Sequence, residues 1–345
     1  MTTNKNGRVT QREIAKIAGV SQATVSMVLN DKDYSNVRIP EATRARVMRA
    51  IEQTTYVADP AARRLAGLDN KILGIFTYEP ALSAESMDFY GPLLNGIERA
   101  AERLSCDLLF FTASPLVDGS RSLFHKNTRF RLADGCLLLG QQMNSAELAR
   151  LVAEDFPFVA IGRRDEPDVP YVGIDYLSLT GRIIRRLDEL GHERAIYLHH
   201  GTIAPAAADR RSGIAQSASG LRIAVTSVDV SGLDADAIAR RVVEADVTAV
   251  IAEDSFLAEA AAAALESAAA QTSFSYVALA DVAGHSIGSA PLSGFDLRRE
   301  AVASRALSLL QDIVLADPAE SADLQKQVLL AGEVVDGATL HEVRR

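Results

Sequence analysis

The residues whose types and spacing suggest chemistry cluster near the N-terminus, in TQREIAKIAGVSQATVSMVLN (10–30). Thr10 and Glu13 are spaced as a capping box, which starts a helix. Ile14, Ile17 and Ala18 recur at i, i+3, i+4 and give that helix one apolar face. Gly19 ends it, because the left-handed position after a helix suits a residue without Cβ. Ser21 caps the next helix, in which Val25, Val28 and Leu29 form the stripe predicted to be buried. Gln22, Ala23, Ser26 and Met27 are then left facing outward. Two short helices joined by a tight glycine turn make a helix-turn-helix, and the start of its second helix is the part that enters a DNA major groove. Pro40 suits the first position of a third helix. Val47, Ala50 and Ile51 point inward there, with Arg44, Arg46 and Arg49 on other faces, either reaching phosphates or simply solvated.

The charge distribution sets this segment apart. The 345-residue chain carries a net −9, which by itself argues against nucleic acid. Residues 1–67, however, hold 11 Lys+Arg against 6 Asp+Glu, and the remaining 278 hold 25 against 39. A basic head on an acidic body points to nucleic-acid contact by the head alone. The length allows two or three domains, and 48% hydrophobic residues allow a sizeable core. There is no apolar run long enough for a membrane span and no apolar stretch at the N-terminus, so a cytoplasmic protein is expected. Cys106 and Cys136 lie within or beside apolar runs and read as buried thiols. No Cys/His spacing suits zinc, His199 and His200 being adjacent, so neither a metal nor a cofactor is expected.

Between head and body, ADPAARRLAG (58–67) has a helix start in Asp59 and Pro60, but AARRLA is too short to hold a helix alone. From Lys71 on, apolar strands alternate with helical stretches. The predicted strands run from ILGIFTY (72–78) and DLLFFTA (107–113) to SYVALA (275–280) and QVLLAGEVV (327–335). Alternating β and α with near-continuous apolar strands means an α/β fold with parallel sheets. Ten or so strands are many for one core, so two subdomains are expected. Signatures of catalysis are missing: there is no G-x-G-x-x-G after a strand, no P-loop, no G-x-S-x-G and no nucleophile–base pair. An enzyme is therefore not expected.

IAKIAGVSQATVSMVLN, followed by RIPEATRARVMRAIEQTTYVADPAARRLAG, resembles the N-terminal region of the LacI/GalR transcriptional repressors. The resemblance continues through FYGPLLNGIERAAERL, DGCLLLG, AIGRR, YVGIDYLSLTGRIIRRLDELGHERAIYL and DRRSG, nearly the whole chain. It implies a helix-turn-helix domain over 1–57, a hinge helix and linker over 58–70, and a two-lobed, periplasmic-binding-protein-like domain over 71–345. Lobe one would comprise 71–174 and 294–322, and lobe two 175–293 and 323–345. Thr10, Ser21, Thr24, Ser26, Asn30 and Arg44 would contact DNA, with Gln22, Ala23 and Met27 at the base-reading positions. Many relatives carry Arg where Met27 stands. Met cannot make the bidentate contact to guanine, so a thymine methyl or no direct readout is expected there, and Gln22 would favour adenine. The hinge would fold on DNA, pair with its copy, and insert Leu65 into the minor groove, with Arg63 and Arg64 neutralising adjacent phosphates. By composition alone the segment reads as an ordinary flexible linker.

In this fold a ligand sits between the lobes, beyond the carboxyl ends of the strands. The side chains implied there are Tyr78, Glu79, Ser114, Arg163, Asp175, Arg210, Glu253, Asp254 and Asp281. Arg210 matches the family's R-x-x-G arginine. Three departures weaken a sugar assignment: Glu253-Asp254 where relatives have Asn-Asp, Ala280 in place of an acid, and Asp336 in place of an Arg. There is also no Trp to stack on a sugar, leaving Tyr78, Phe89, Tyr90 and Tyr176 as substitutes. Two readings follow. One is a repressor, a homodimer on a pseudo-palindromic operator, controlled by a sugar or related metabolite. The other keeps the DNA binding but has a degenerate pocket, constitutive or controlled by a protein partner or non-sugar effector. The sequence ends soon after its last strand without a heptad-bearing helix, which favours a dimer over a tetramer.

Overall fold

The computed structural model describes residues 9–30, 39–54, 56, 70–268, 273–317 and 323–343. The chain divides into two compact units, residues 1–71 and 72–345. In the first, α1 (Gln11–Ala18), α2 (Gln22–Asn30) and α3 (Glu41–Glu52) pack together. The capping box forms: Thr10 N donates to Glu13 Oε2 at 2.7 Å and Glu13 N to Thr10 Oγ1 at 3.3 Å. Gly19 takes a φ of +64° and ends α1, and Ser21 Oγ accepts from Thr24 N at 3.1 Å to start α2. Pro40 stands one position outside α3, as its cap rather than its first residue.

The buried side chains are Ile14, Ala15, Ala18, Val25, Val28, Val47 and Ala50, with Leu29 and Ile51 packed against them. Ile17, expected inside, is 55% exposed. At 3.6 residues per turn, Ile14, Ala15 and Ala18 share one side of α1, and Ile17 points about 110° from its centre. A helix of eight residues packed on α2 and α3 needs only that one side.

The larger unit carries two six-stranded sheets. The first contains β1 (Ile72–Thr77), β2 (Asp107–Phe111), β3 (Gly135–Leu139), β4 (Phe158–Ile161), β5 (Tyr171–Ile174) and β13 (Gln327–Leu330). Its order is β13-β5-β4-β3-β1-β2, parallel throughout. The second contains β6 (Arg194–His199), β7 (Ala224–Asp229), β8 (Ala249–Ala252), β9 (Ser275–Asp281), β12 (Ser293–Asp296) and β14 (Glu333–Val335). Its order is β14-β12-β9-β8-β6-β7, with only β14 antiparallel. Between β9 and β12 lies a short hairpin, β10 (Ser286–Ile287) and β11 (Ala290–Pro291).

Helices follow the strands: α4 (Met87–Leu104), α5 (Ser145–Ala153), α6 (Tyr176–Glu189), α7 (Pro205–Ala218), α8 (Ala235–Glu244), α9 (Ser255–Ser267) and α10 (Arg299–Leu315). The strands β3, β4, β5 and β8 are buried at every residue, as parallel strands covered on both faces must be. One apolar cluster runs from Leu73 and Ile97 beside the first sheet to Tyr197 and Phe295 beside the second, so the two lobes share a core.

The lobe boundaries differ from expectation. QVLLAGEVV is not one strand: it breaks at Ala331-Gly332, and its halves belong to different sheets. A Cβ on Gly332 would sit 2.9 Å from the Asp296 carbonyl and 2.8 Å from Leu179, so the passage between lobes is tight there. The strand β12, which alternation of apolar runs did not reveal, lies in the second sheet. The chain therefore changes lobe after Ile174, after Asp296 and after Leu330, and the crossings expected near 293 and 322 are displaced.

Candidate functional site

On the smaller unit, α2 presents Gln22 and Ala23 to the outside as exposed side chains, with Ser26 and Met27 half-exposed beside them. Its opposite side is locked in the core by Val25 and Val28. The hydroxyls of Ser21 and Thr24 lie 2.8 Å apart, so both are engaged in starting the helix. Thr10 is likewise held in its capping box. Asn30 ends α2. On α3, Arg44 is half-exposed and Arg46 is exposed, and Arg49 Nε donates to the Ala45 carbonyl at 3.3 Å. Arg63, Arg64 and Leu65 lie outside the described residues.

The larger unit has a cavity of 290 Å³ between its lobes, near the small end of ligand pockets. On the lobe-one side the chain leaves β4 through Gly162, at a φ of +100°, and delivers Arg163 and Arg164. Arg163 Nε donates to Asp209 Oδ2 at 2.7 Å, and its Nη1 to Asp165 Oδ1 at 2.5 Å. Because Asp209 lies on α7, the first of these bonds joins the lobes. Burial opposes the charge of Arg163, but these bonded carboxylates outweigh it and hold its pKa above the ordinary value. Arg164 is buried, which draws its pKa down. Its Nη2 donates to the Gly140 carbonyl at 2.9 Å and the Ile161 carbonyl at 3.2 Å, and its Nε has no partner. Arg299, at the start of α10, lies 4.8 Å from the Phe89 ring centre.

The lobe-two side is built from α7 and the ends of β6 and β8. Arg210 Nε donates to the Leu279 carbonyl at 2.7 Å, and its guanidinium lies 4.1 Å over Tyr176. Glu253 is buried and accepts from His200 N at 2.9 Å. Asp254 caps α9 by accepting from Leu257 N at 2.8 Å, and its Oδ2 lies 3.2 Å from His200 Nε2.

Of the nine expected cleft residues, Arg163, Arg210, Glu253 and Asp254 line this cavity. Tyr78 instead turns into the lobe-one core against Phe76, its hydroxyl donating to Glu147 at 3.2 Å. Burial, with Glu147 beside it, pushes that phenol well above its usual pKa. Glu79 accepts from Tyr90 at 2.6 Å and from Gln141 N at 3.1 Å, bracing a loop that does line the cavity. Ser114 is buried and accepts from Ser122 N at 3.1 Å. Asp175 caps α6, accepting from Ser178 N at 3.0 Å. Asp281 accepts from Ala283 N at 3.2 Å and borders a wider groove that adjoins the cavity and shares Asp254, Ala280 and Arg299 with it.

Phe89 and Tyr176 line the cavity, whereas Tyr90 is spent on Glu79. Ala280 puts a methyl group on the cavity wall, and Asp336 faces Arg186 at 3.9 Å instead. Arg164, Asp209, His200 and Arg299 were missed. Arg164 had a signal, since it follows Arg163 in the same turn. Arg299 had none, because the strand that precedes its helix was not recognised.

The family model for bacterial regulatory proteins of the lacI family matches residues 10–59. That for periplasmic binding proteins and the sugar binding domain of the LacI family matches residues 81–331. The chain therefore belongs to the LacI family. Among curated relatives, it is 27% identical over 212 residues to the HTH-type transcriptional regulator AglR of Rhizobium meliloti, covering 61% of this chain and 57% of that one. It is 30% identical over 198 residues to the maltose regulon regulatory protein MalI of Escherichia coli, covering 55% and 54%. The chain thus matches little more than half the length of these relatives. Among solved structures, a lac repressor dimer bound to operator and an anti-inducer superposes with a TM-score of 0.69 at 18% identity, covering 96% of this chain and 99% of that one. A complex of the transcriptional regulator CelR with cellobiose gives 0.58 at 20% identity, covering 96% and 100%.

Proposed function

We propose that this protein is a sequence-specific DNA-binding transcriptional regulator, a repressor whose operator affinity is set by a small molecule held between its lobes. The observation that carries the reading is the outward face of α2. Gln22 and Ala23 are exposed at the start of a helix whose other side is locked in a core. That is what a helix needs to enter a major groove with a fixed set of side chains. One such helix reads few base pairs, so a homodimer on a pseudo-palindromic operator follows. Residues 58–70 serve as the hinge, with Leu65 wedging the minor groove and Arg63 and Arg64 on adjacent phosphates. The protein acts in the cytoplasm, where it meets the chromosome. Its relatives AglR and CelR, named as HTH-type transcriptional regulators, support the reading.

The effector is a sugar or related metabolite. A formed cavity with convergent polar groups favours sensing over the alternative of a degenerate pocket. The Arg163–Asp209 bond spans the lobes, so a ligand that competes for either partner biases their arrangement. Coupled to the hinges, that bias is a coupling free energy between two sites.

Selection of bound sequences from random duplex DNA by the full-length protein tests the reading. The expected product is a two-fold-related motif, bound with steep salt dependence, and Leu65→Ala should weaken it strongly while leaving the dimer intact. Enrichment of no motif would sink the proposal, and unchanged affinity in the variant would sink the wedge.

A further inference from the structure

Four arginines border the cleft cavity: Arg163, Arg164, Arg210 and Arg299. Arg163 is paired with Asp209 and Asp165. Among the described residues, Arg164, Arg210 and Arg299 have no carboxylate at ion-pair distance. Each is held by groups that orient a guanidinium without forming an ion pair, although the charges of Glu166 and Glu79 act on Arg164 from beyond that distance. For Arg164 these are the carbonyls of Gly140 and Ile161, at 2.9 and 3.2 Å. Arg210 has the Leu279 carbonyl at 2.7 Å and the Tyr176 ring. Arg299 has the Asp88 carbonyl at 3.1 Å and the Phe89 ring. Arg164 is only 7% exposed, and its Nε is buried with no partner at all.

A buried positive charge without a bonded counter-charge is costly. Three guanidiniums around one cavity, positioned but not neutralised, are an anion site waiting for its anion, with planar donor forks that match a carboxylate or a phosphate. The acids of the same cavity do not fill that role. Asp209 is taken by Arg163, and Glu253 and Asp254 lie with His200 on the lobe-two wall. Carboxylates there can accept from hydroxyl groups of a ligand.

We infer that the effector is an acidic polyhydroxyl metabolite, a sugar derivative bearing a carboxylate or a phosphate. Its anion meets the unneutralised arginines, Arg164 foremost, and its hydroxyls meet Glu253 and Asp254. The inference rests on the reading of the cleft as the effector site and narrows the ligand class.

Calorimetric titration of the full-length protein tests it. One arm uses D-gluconate and D-glucuronate, a second uses glucose 6-phosphate and fructose 6-phosphate, and D-glucose and D-fructose serve as neutral counterparts. Inorganic phosphate controls for charge alone. At least one acid should bind about tenfold or more tightly than its neutral counterpart, the scale of a charge-assisted contact. The arm in which it falls identifies the anion. Arg164→Gln should remove that preference and Arg164→Lys should restore part of it. Arg299→Gln, at a half-exposed position, gives a second reading should Arg164→Gln fail to fold.

A neutral sugar binding as well as its acid overturns the inference. So do binding of inorganic phosphate as tight as the best acid, acid binding untouched by the variants, or no acid binding at millimolar concentration. A neutral sugar that binds and alters operator affinity would leave the regulator reading standing. Failure of the DNA selection would remove that reading whatever the titrations give.

Discussion

The two lobes of the body are built on one plan and finished with different chemistry. Counting strands from the first of each lobe, both sheets run 2-1-3-4-5-6, with β1, β3 and β4 matched by β6, β8 and β9. The last strand is the exception in direction, antiparallel in lobe two alone. The matched strands end at the same cleft. Where β3 leads into Gly140, β8 leads into Glu253, and where β4 delivers Arg163 and Arg164, β9 delivers Ala280 and Asp281. Lobe one thus contributes cations and lobe two mainly carboxylates, with Arg210 the exception. The sheet order decides which chain positions meet, and the side chains there decide what can bind.

The shared plan includes a close helix contact in each lobe, and breaking it should have the largest effect. Both contacts depend on a glycine in the helix after the lobe's first strand. In α4, a Cβ on Gly96 would sit 2.3 Å from the Glu300 carbonyl oxygen of α10, with further Glu300 backbone atoms at 2.7 and 2.9 Å. In α7, one on Gly213 would sit 2.7 Å from the Leu177 carbonyl and 2.8 Å from Thr180 Cβ, both on α6. Gly96→Val and Gly213→Val should each destabilise by about 2–3 kcal/mol in urea unfolding, as overpacked cores do. Gly96→Ala should be the worse of the two Ala variants, because only backbone crowds that site. Ala variants within roughly 0.5 kcal/mol of the parent would show that the helices do not approach this closely.

A smaller difference separates the two stacked arginines. Arg210 is 4.1 Å from its ring and bonds a carbonyl at 2.7 Å, whereas for Arg299 the distances are 4.8 and 3.1 Å. Lys keeps the charge but loses the flat fork and its stacking. Arg210→Lys should therefore cost about 1 kcal/mol and Arg299→Lys about half as much. The reverse order would mean that the lobe-one wall is the more firmly built.

Much of this molecule was legible because local rules and tertiary packing agree. The capping box at Thr10, the turn at Gly19 and the cap at Ser21 are local chemistry, and each formed as spaced. Ile17 was misplaced because a helix that packs on one narrow side leaves room for an apolar residue outside it. In the body, apolar runs revealed ten strand segments but not the crossing at Ala331-Gly332, which is set by which sheet has a free edge. The cleft was half legible for a similar reason. A place just past a strand end does not set direction: Glu253, Tyr78 and Asp175 each stand one residue beyond their strand, yet Glu253 faces the cavity, Tyr78 turns into the core and Asp175 becomes a cap. Arg299 reaches the site from a helix brought there by a crossover that sequence patterns did not expose.

The smallest expected difference between the lobes is in their response to acid. In lobe two, residues 339–341 run beside the start of β9: Tyr276 N donates to the Thr339 carbonyl at 2.9 Å and His341 N to Ser275 Oγ at 2.9 Å. His192 clamps this segment. Its Nε2 lies 3.1 Å from the His341 carbonyl, to which it donates, and its Nδ1 lies 2.7 Å from the Thr248 hydroxyl, from which the neutral ring accepts. Burial pulls the His192 pKa below its ordinary 6.5, against a smaller opposing effect of the bond to His341. The unfolded chain then binds the proton more readily than the folded one. The stability due to neutral His192 is therefore complete above pH 6.5 and is lost as the pH falls below it. At the matching edge of lobe one, β13 is held by backbone pairing with β5 and by Gln327 Nε2 donating to the Val169 carbonyl at 3.3 Å, neither of which titrates in that range. Amide exchange followed from about pH 7 to about pH 5.5 should show protection falling around β9 and residues 339–341 and holding at β13. His192→Gln should flatten the lobe-two response. Equal loss at both edges would show that acid acts on the body as a whole, and that the lobes differ at the cleft alone.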